Sequence, residues 1–319
     1  MTMKHHEIEA NGISLHFVEE GKGAAVVFCH GFPAIWSSWK AQMEALATAG
    51  FRALALDMRG YGGSSAPVEA DAYTPYQTVG DLVAVLDTAG IATASVVGHD
   101  FGAHIAWNAA MMRPDRFTAV CGMSVPFRQP GGPSFLDKLR AAGKNQFYWF
   151  DMMRAESDQA WANAAVSVPG MMYWTSGEAP EASRWDPFDP SRGLLRPAPV
   201  VPRTIDSTYI NDAVAAFTRT GFHGPLNYYR AIDPFTRNSA AFAGAKIRQP
   251  SMFLAGTLDG LNLVAQPSAE SMRGNLTDLR SFIMSDGVGH WPQLEAPEAT
   301  NAALLAFLRS LNAAGPTPK

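Results

Sequence analysis

Residues 94–107 read ASVVGHDFGAHIAW. Ala94 to His99 is an apolar run suited to a strand buried on both faces, and Ala103 to Met112 carries the pattern of a helix. Between them Gly98-His99-Asp100-Phe101-Gly102 must turn strand into helix within a few residues. That puts Asp100 at the tip of a sharp, strained turn, with glycines on either side where the backbone passes close to its neighbours. Such a turn presents a nucleophile above a sheet. The same aspartate also suits the N-cap of the helix, and a G-x-x-x-G spacing alone does not separate the two readings.

Outward from this turn, apolar runs alternate with helical patterns: AAVVFCH (24–30), a helix near Trp39 to Ala49, FRALALD (51–57), a helix near Thr78 to Ala89, and FTAVCGMS (117–124). Buried strands interleaved with helices predict an α/β fold with a doubly wound, mostly parallel sheet. Ahead of them, His5 to Ala10 and Ser14 to Glu19 flank Asn11-Gly12 and read as a β-hairpin. The rhythm stops near Pro126 and resumes at Gln249-Pro250 with SMFLAG, a segment near Leu279 to Met284, and a helix from Pro297 to Leu311. The intervening Trp-, Tyr- and Met-rich stretches and the Pro-rich SRGLLRPAPVVPRT (191–204) lack a parallel-strand pattern. The expected organisation is a core domain of residues 1–131 and 241–319 and a helical lid, or cap domain, of residues 132–240. The tail AAGPTPK (313–319) is expected to fray.

With 319 residues, 47% hydrophobic and 17% charged, the chain can bury a sizeable core. Its net charge of −4 gives no reason to expect nucleic acid or an anionic membrane as partner, so a small molecule is expected. Cys29 and Cys121 sit in core-strand runs and read as buried thiols. The start, MTMKHHEIEANG, carries charges where a signal peptide needs an apolar stretch, and no segment approaches the ~20 apolar residues of a membrane span. A cytoplasmic location is the expectation, and a homodimer is compatible with the sequence. His30, His104 and His223 lack metal-type partners at i+3 or i+4, so no metal is assigned.

Downstream of the turn, LAGTLDG (254–260) ends an apolar strand pattern on an acid, and SDGVGHWPQLEAP (285–297) carries a histidine in a loop before the last helix. The order Asp100, Asp259, His290 is the nucleophile, acid, histidine order of the α/β-hydrolase fold. Singly, Asp259 reads as a turn former and His290 as a loop histidine; together they favour the catalytic reading of Asp100. His30-Gly31-Phe32-Pro33 follows a strand directly, where a Gly-bearing turn can aim an N–H at the nucleophile. The backbone N–H groups of Phe32 and Phe101 are the expected oxyanion donors. Pro33, lacking an N–H, fixes the turn. His99 precedes the turn and reads as a packing or orienting residue; it joins Trp36 and Trp149 as a candidate on the substrate side.

HGFPAIWSSW (30–39), DMRGYGGSSAP (57–67), VVGHDFGA (96–103), TGFHGPLNYYR (220–230) and GHWPQLEAP (289–297) together resemble the soluble epoxide hydrolase family. The resemblance runs from about Ile8 to Leu311 and is loosest across Ala155 to Thr204. It implies conversion of an epoxide to a vicinal diol, a detoxifying reaction, through an ester on Asp100 that water activated by His290 and Asp259 then cleaves, with no cofactor. It also implies two lid tyrosines holding the epoxide oxygen. One is Tyr229, with Tyr228 as its fallback. Counting from Pro126-Phe127 places the other at Tyr148 in QFYWFDM (146–152), with Tyr173 as fallback, although an FYWF run also suits plain aromatic packing. Trp36, Phe101, Trp149 and Trp291, with lid methionines, would then line an apolar pocket for a small apolar epoxide and water.

Two other readings stay open. A dehalogenase on this fold shares the Asp nucleophile but expels halide and needs no acid. Haloalkane dehalogenases place Trp after the nucleophile and fluoroacetate dehalogenases place Arg there and one turn on, where this chain has Phe101 and His104. A catalytically silent relative could bind a ligand or partner through its lid, though nothing obliges a binder to keep nucleophile, acid and base together.

Overall fold

A computed structural model describes residues 3–313; the tail beyond Ala313, expected to fray, lies outside them. Eight strands, Lys4–Ala10 (β1), Ile13–Gly21 (β2), Ala24–Cys29 (β3), Phe51–Leu56 (β4), Ala94–His99 (β5), Phe117–Met123 (β6), Ile247–Gly256 (β7) and Leu276–Ser285 (β8), form one sheet in the order β1-β2-β4-β3-β5-β6-β7-β8. β1 and β2 are the antiparallel hairpin, with Ala10 opposite Ile13 and both turn residues, Asn11 and Gly12, at the positive φ that a two-residue hairpin turn requires. From β3 to β8 the pairing is parallel. β5 is buried at every position and β3 at all but its first, which is why both read as apolar runs and not as alternation. The free thiols of Cys29 and Cys121 are buried in β3 and β6.

Helices cover both faces. Lys40–Thr48 (α1) packs with the C-terminal helix on one side, around Trp39, Met43 and Phe307. Pro75–Thr88 (α2) and Phe101–Met112 (α3) pack on the other, where the larger cluster continues into the insertion. α2 starts at Pro75, ahead of the expected Thr78, because proline at the first helical position presets φ and lacks only an N–H that would go unpaired there. α3 starts at Phe101 and not near Ala103, so the turn at Asp100 is tighter than the sequence pattern indicated. β7 runs through Pro250, where its register with β8 shifts to accommodate the missing donor.

Between β6 and β7 the described residues form helices and turns but no strand: Phe135–Ala141 (α4), Tyr148–Met152 (α5), Ser157–Trp161 (α6), Ala164–Thr175 (α7), Ser207–Thr220 (α8), His223–Arg230 (α9) and Ile232–Asn238 (α10). Ala269–Arg273 (α11), Pro292–Glu295 (α12) and Pro297–Ala313 (α13) complete the chain. The insertion is tied to loops at the C-terminal ends of the parallel strands. The Arg219 guanidinium donates to the Gly62 carbonyl at 2.9 Å, Tyr228 Oη donates to the Arg59 carbonyl at 3.1 Å, and the His290 N–H donates to the Thr175 carbonyl at 2.9 Å. In an open α/β sheet that edge is where ligands bind.

Candidate active site

Asp100 holds φ 55° and ψ −121°, a region costly for a residue with a side chain by about 1–3 kcal/mol. The neighbours leave no alternative. A Cβ on Gly98 would lie 2.0 Å from the Gly102 carbonyl oxygen, and one on Gly102 would lie 2.0 Å from that of Cys29. Asp100 stands at the N-cap position of α3, but its side chain accepts no capping bond; its Oδ1 instead accepts the Phe32 N–H at 2.9 Å from the loop after β3. Gly31 permits this approach, since a Cβ there would sit 2.3 Å from Oδ1. Burial pushes the Asp100 carboxyl up from its ordinary pKa, against the charge of His290 and the N–H groups of Phe32 and Phe101.

The loops after β7 and β8 bring in Asp259 and His290. His290 Nδ1 lies 3.0 Å from Asp259 Oδ2, and Asp259 Oδ1 accepts the Leu261 N–H at 2.9 Å, so the carboxylate is anchored while it orients the ring. The other ring nitrogen, Nε2, is 3.7 Å from Asp100 Oδ2, too long for a hydrogen bond. Burial acts to lower the His290 pKa, but Asp259 and then Asp100 outweigh it, and the balance is upward. The two oxygens of Asp100 are thus differentiated: Oδ1 rests on a backbone N–H and Oδ2 faces the histidine.

Several residues that hold this geometry carry no local motif. His99 is fully buried beneath the site, between the rings of His290 and Trp291, and its Nε2 donates to the His290 carbonyl at 2.7 Å. It therefore orients the catalytic loop and is no substrate-side residue. Ser124, at positive φ after β6, donates to the same carbonyl at 3.0 Å. Glu295 accepts three backbone N–H groups, Gly177 (2.8 Å), Gly289 (3.0 Å) and Trp291 (2.9 Å), clamping the histidine loop to the end of α7. The Trp291 indole N–H reaches Thr175 Oγ1 at 2.7 Å, so this side chain is structural and not pocket lining. His30 accepts the Met58 N–H at Nε2, which leaves Nδ1 to donate to the Gly31 carbonyl at 3.0 Å and brace the loop that carries Phe32.

Above Asp100, α5 and α9 bring Tyr148 and Tyr229 together with ring centroids 6.1 Å apart. The Tyr229 ring meets Phe101 edge-on at 4.7 Å and Phe32 at 5.5 Å, so it sits over both residues that supply the N–H donors. Burial raises the pKa of both tyrosines, and Asp100 adds to the effect, which keeps both phenols protonated. Tyr228, the fallback, has its hydroxyl bonded to the Arg59 carbonyl, and Tyr173 packs edge-on against Trp174.

A cavity of about 480 Å³ opens from Asp100. Phe101, Phe127, Phe135, Phe147, Tyr148, Trp149, Ile232 and Phe235 give it apolar walls. Trp149 thus lies where expected. Trp36 does not: its ring packs edge-on against His5 at 5.3 Å, in the cluster on the α1 and α13 face. The lid methionines are absent from this lining as well; Met171 and Met172 are spent in the core, and Met152 faces a second cavity of about 360 Å³ that shares only Tyr148 with the first.

The family model described as the alpha/beta hydrolase fold matches residues 24–297. An epoxide hydrolase from Caballeronia sordidicola is 50% identical over 313 residues, covering 98% of this chain and 95% of that protein. Epoxide hydrolase A from Mycobacterium tuberculosis is 36% identical, with 95% and 97% covered. Among solved structures, an epoxide hydrolase from an endophytic Streptomyces superposes with a TM-score of 0.91 at 34% identity, covering 98% of this chain and 97% of that one.

Proposed function

The chain belongs to the epoxide hydrolases of the α/β-hydrolase fold, and from that premise we propose that it opens its substrate in two steps through an ester on Asp100. The observation that carries the mechanism is the division of the Asp100 carboxylate, a residue lining the cavity, with Oδ1 on the Phe32 N–H and Oδ2 facing His290. Oδ2 attacks an epoxide carbon in line with the breaking C–O bond, and a carboxylate suits this because the ester it leaves can be hydrolysed; a serine would leave an ether. The departing oxygen is an alkoxide, too basic to leave unaided. Tyr148 and Tyr229, kept protonated by burial, donate hydrogen bonds to it and the proton it takes up.

In the second step His290 Nε2 removes a proton from water, which attacks the Asp100 carboxyl carbon. The oxyanion that forms lies on the Phe32 and Phe101 N–H groups. Collapse breaks the ester, His290 returns its proton to the alcohol oxygen, and a vicinal diol leaves; the second proton of the water, left on the Asp100 carboxyl, returns to the tyrosinate and restores both groups. Ester formation also prepares the base. It neutralises Asp100, one of the charges that raise the His290 pKa, so the imidazole loses its proton more readily once the ester exists.

The insertion of residues 132–240 acts as the lid. It supplies both tyrosines and, through Phe135, Phe147, Trp149, Ile232 and Phe235, part of the walls that exclude bulk water. The substrate is a small, largely apolar epoxide, and water is the second reactant. Styrene oxide is the test compound: diol formation by the parent and none by Asp100→Ala is expected, and an active Asp100→Ala variant would overturn the assignment of the nucleophile.

A further inference from the structure

The apolar cavity is unevenly charged. Asp100, 7% exposed, is at its closed end and is the only carboxylate among the described residues that lines it. The lining cations are Arg128 and Lys138, both on the solvent-accessible rim formed by the loop after β6 and by α4. The two cations that line the cavity thus stand at its open end, while Asp137 on α4 is paired with Arg140 and Asp233 accepts from Ser134.

Arg128 has no ion pair and no side-chain hydrogen bond among the described residues; its guanidinium lies over the Phe135 ring, 4.0 Å from the centroid. Arg140, Arg192 and Arg230 of the neighbouring insertion, by contrast, each pair with a carboxylate, whereas Arg196, like Arg128, lies over an aromatic ring. The Arg128 charge acts on Tyr148 and on the ring of His104, one helical turn from Asp100, so it stands within electrostatic reach of the proposed ring-opening site. Burial lowers the His104 pKa to about 4, which leaves that ring a neutral polar group beside the cation.

We propose that Arg128, assisted by Lys138, is an anion subsite that selects epoxides carrying a carboxylate over their neutral counterparts. The epoxide oxygen lies at the tyrosines, the apolar spacer lies along Phe135 and Trp149, and the carboxylate reaches the guanidinium at the rim. An Arg–carboxylate pair is planar and bidentate, and Phe135 already holds the guanidinium flat against one wall.

This rests on the epoxide-opening reading above, and a matched substrate pair separates the two. 4-(Oxiran-2-yl)benzoate and its methyl ester differ in one charge and share the reacting ring. The parent is expected to favour the acid by about tenfold in kcat/KM, mainly through KM. Arg128→Gln should reduce that preference to near unity through a larger loss on the acid than on the ester, Arg128→Lys should retain part of it, and added salt should erode it because the rim is open to solvent. A parent that turns over the ester as well as the acid would overturn the subsite and leave the epoxide-opening reading standing. Equal losses on both substrates in Arg128→Gln would also overturn it, since they would mean that the cation acts through Tyr148. Turnover of neither substrate by the parent would overturn both readings.

Discussion

At the scale of single residues, the site works by giving similar groups different surroundings. The two oxygens of Asp100 have separate neighbours, Phe32 N–H and His290. The adjacent tyrosines Tyr228 and Tyr229 part in the same way: one hydroxyl is consumed by the Arg59 carbonyl, while the other ring stands over Phe32 and Phe101. Tyr148→Phe and Tyr229→Phe are therefore each expected to slow ester formation about 10²-fold, and the double variant to be nearly inactive, in single-turnover measurements. Tyr228→Phe should lower stability but not this rate constant. The pH dependence follows from the sign of the His290 shift. Its pKa is raised in the free enzyme in part by Asp100, and that part vanishes in the ester. Ester hydrolysis needs neutral His290, so its rate falls as pH drops through the pKa of the ester form. That fall should come at lower pH than the titration of His290 in the free enzyme followed by NMR.

At the scale of elements, the ends of the parallel strands deliver each group, and short braces fix the loops that carry them. At Gly98 an added methyl meets backbone at 2.0 Å, with no flexible side chain to yield. Gly98→Ala is expected to cost about 3 kcal/mol in chemical denaturation, at the upper end for overpacking. The Glu295 clamp joins α7 to the histidine loop through three backbone donors. Glu295→Gln, which keeps the shape but loses the charge, should slow ester hydrolysis more than ester formation. Because Glu295 helps to raise the His290 pKa, alongside Asp259 and Asp100 and against the neighbouring ring of His99, its acid limb should move to lower pH.

The turn around Asp100 was legible because much of what fixes it lies within consecutive residues: a side chain on Gly98 would meet the Gly102 carbonyl, although the constraint on Gly102 comes from Cys29 on β3. Asp259 and His290 were legible from their order and from their place after strand patterns. His99 was harder, since the face it takes is set by Trp291 and the His290 carbonyl, far along the chain. Trp36 follows the loop of Phe32 in sequence, yet the 3-10 turn at Trp36–Trp39 sends its ring to the other face of the sheet. Ser124 and Arg128 carry no periodic or motif signal, and Glu295, although it lies within GHWPQLEAP, shows no role there, because these roles come from contacts that exist only once the chain is folded.

At the scale of the whole molecule, the sheet edge and the insertion enclose the Asp100 carboxylate in an apolar cavity, with Tyr148 and Tyr229 above it and His290, held by Asp259, to one side. The central claim is that the substrate becomes covalently attached to Asp100 and that His290 acts only afterwards, on water. Intact-mass analysis of His290→Gln after mixing with styrene oxide tests this most directly. The account predicts a stable adduct equal to the mass of one epoxide, located on the peptide that carries Asp100 and absent from Asp100→Asn,His290→Gln. Only unmodified His290→Gln, under conditions where the parent forms diol, would contradict it.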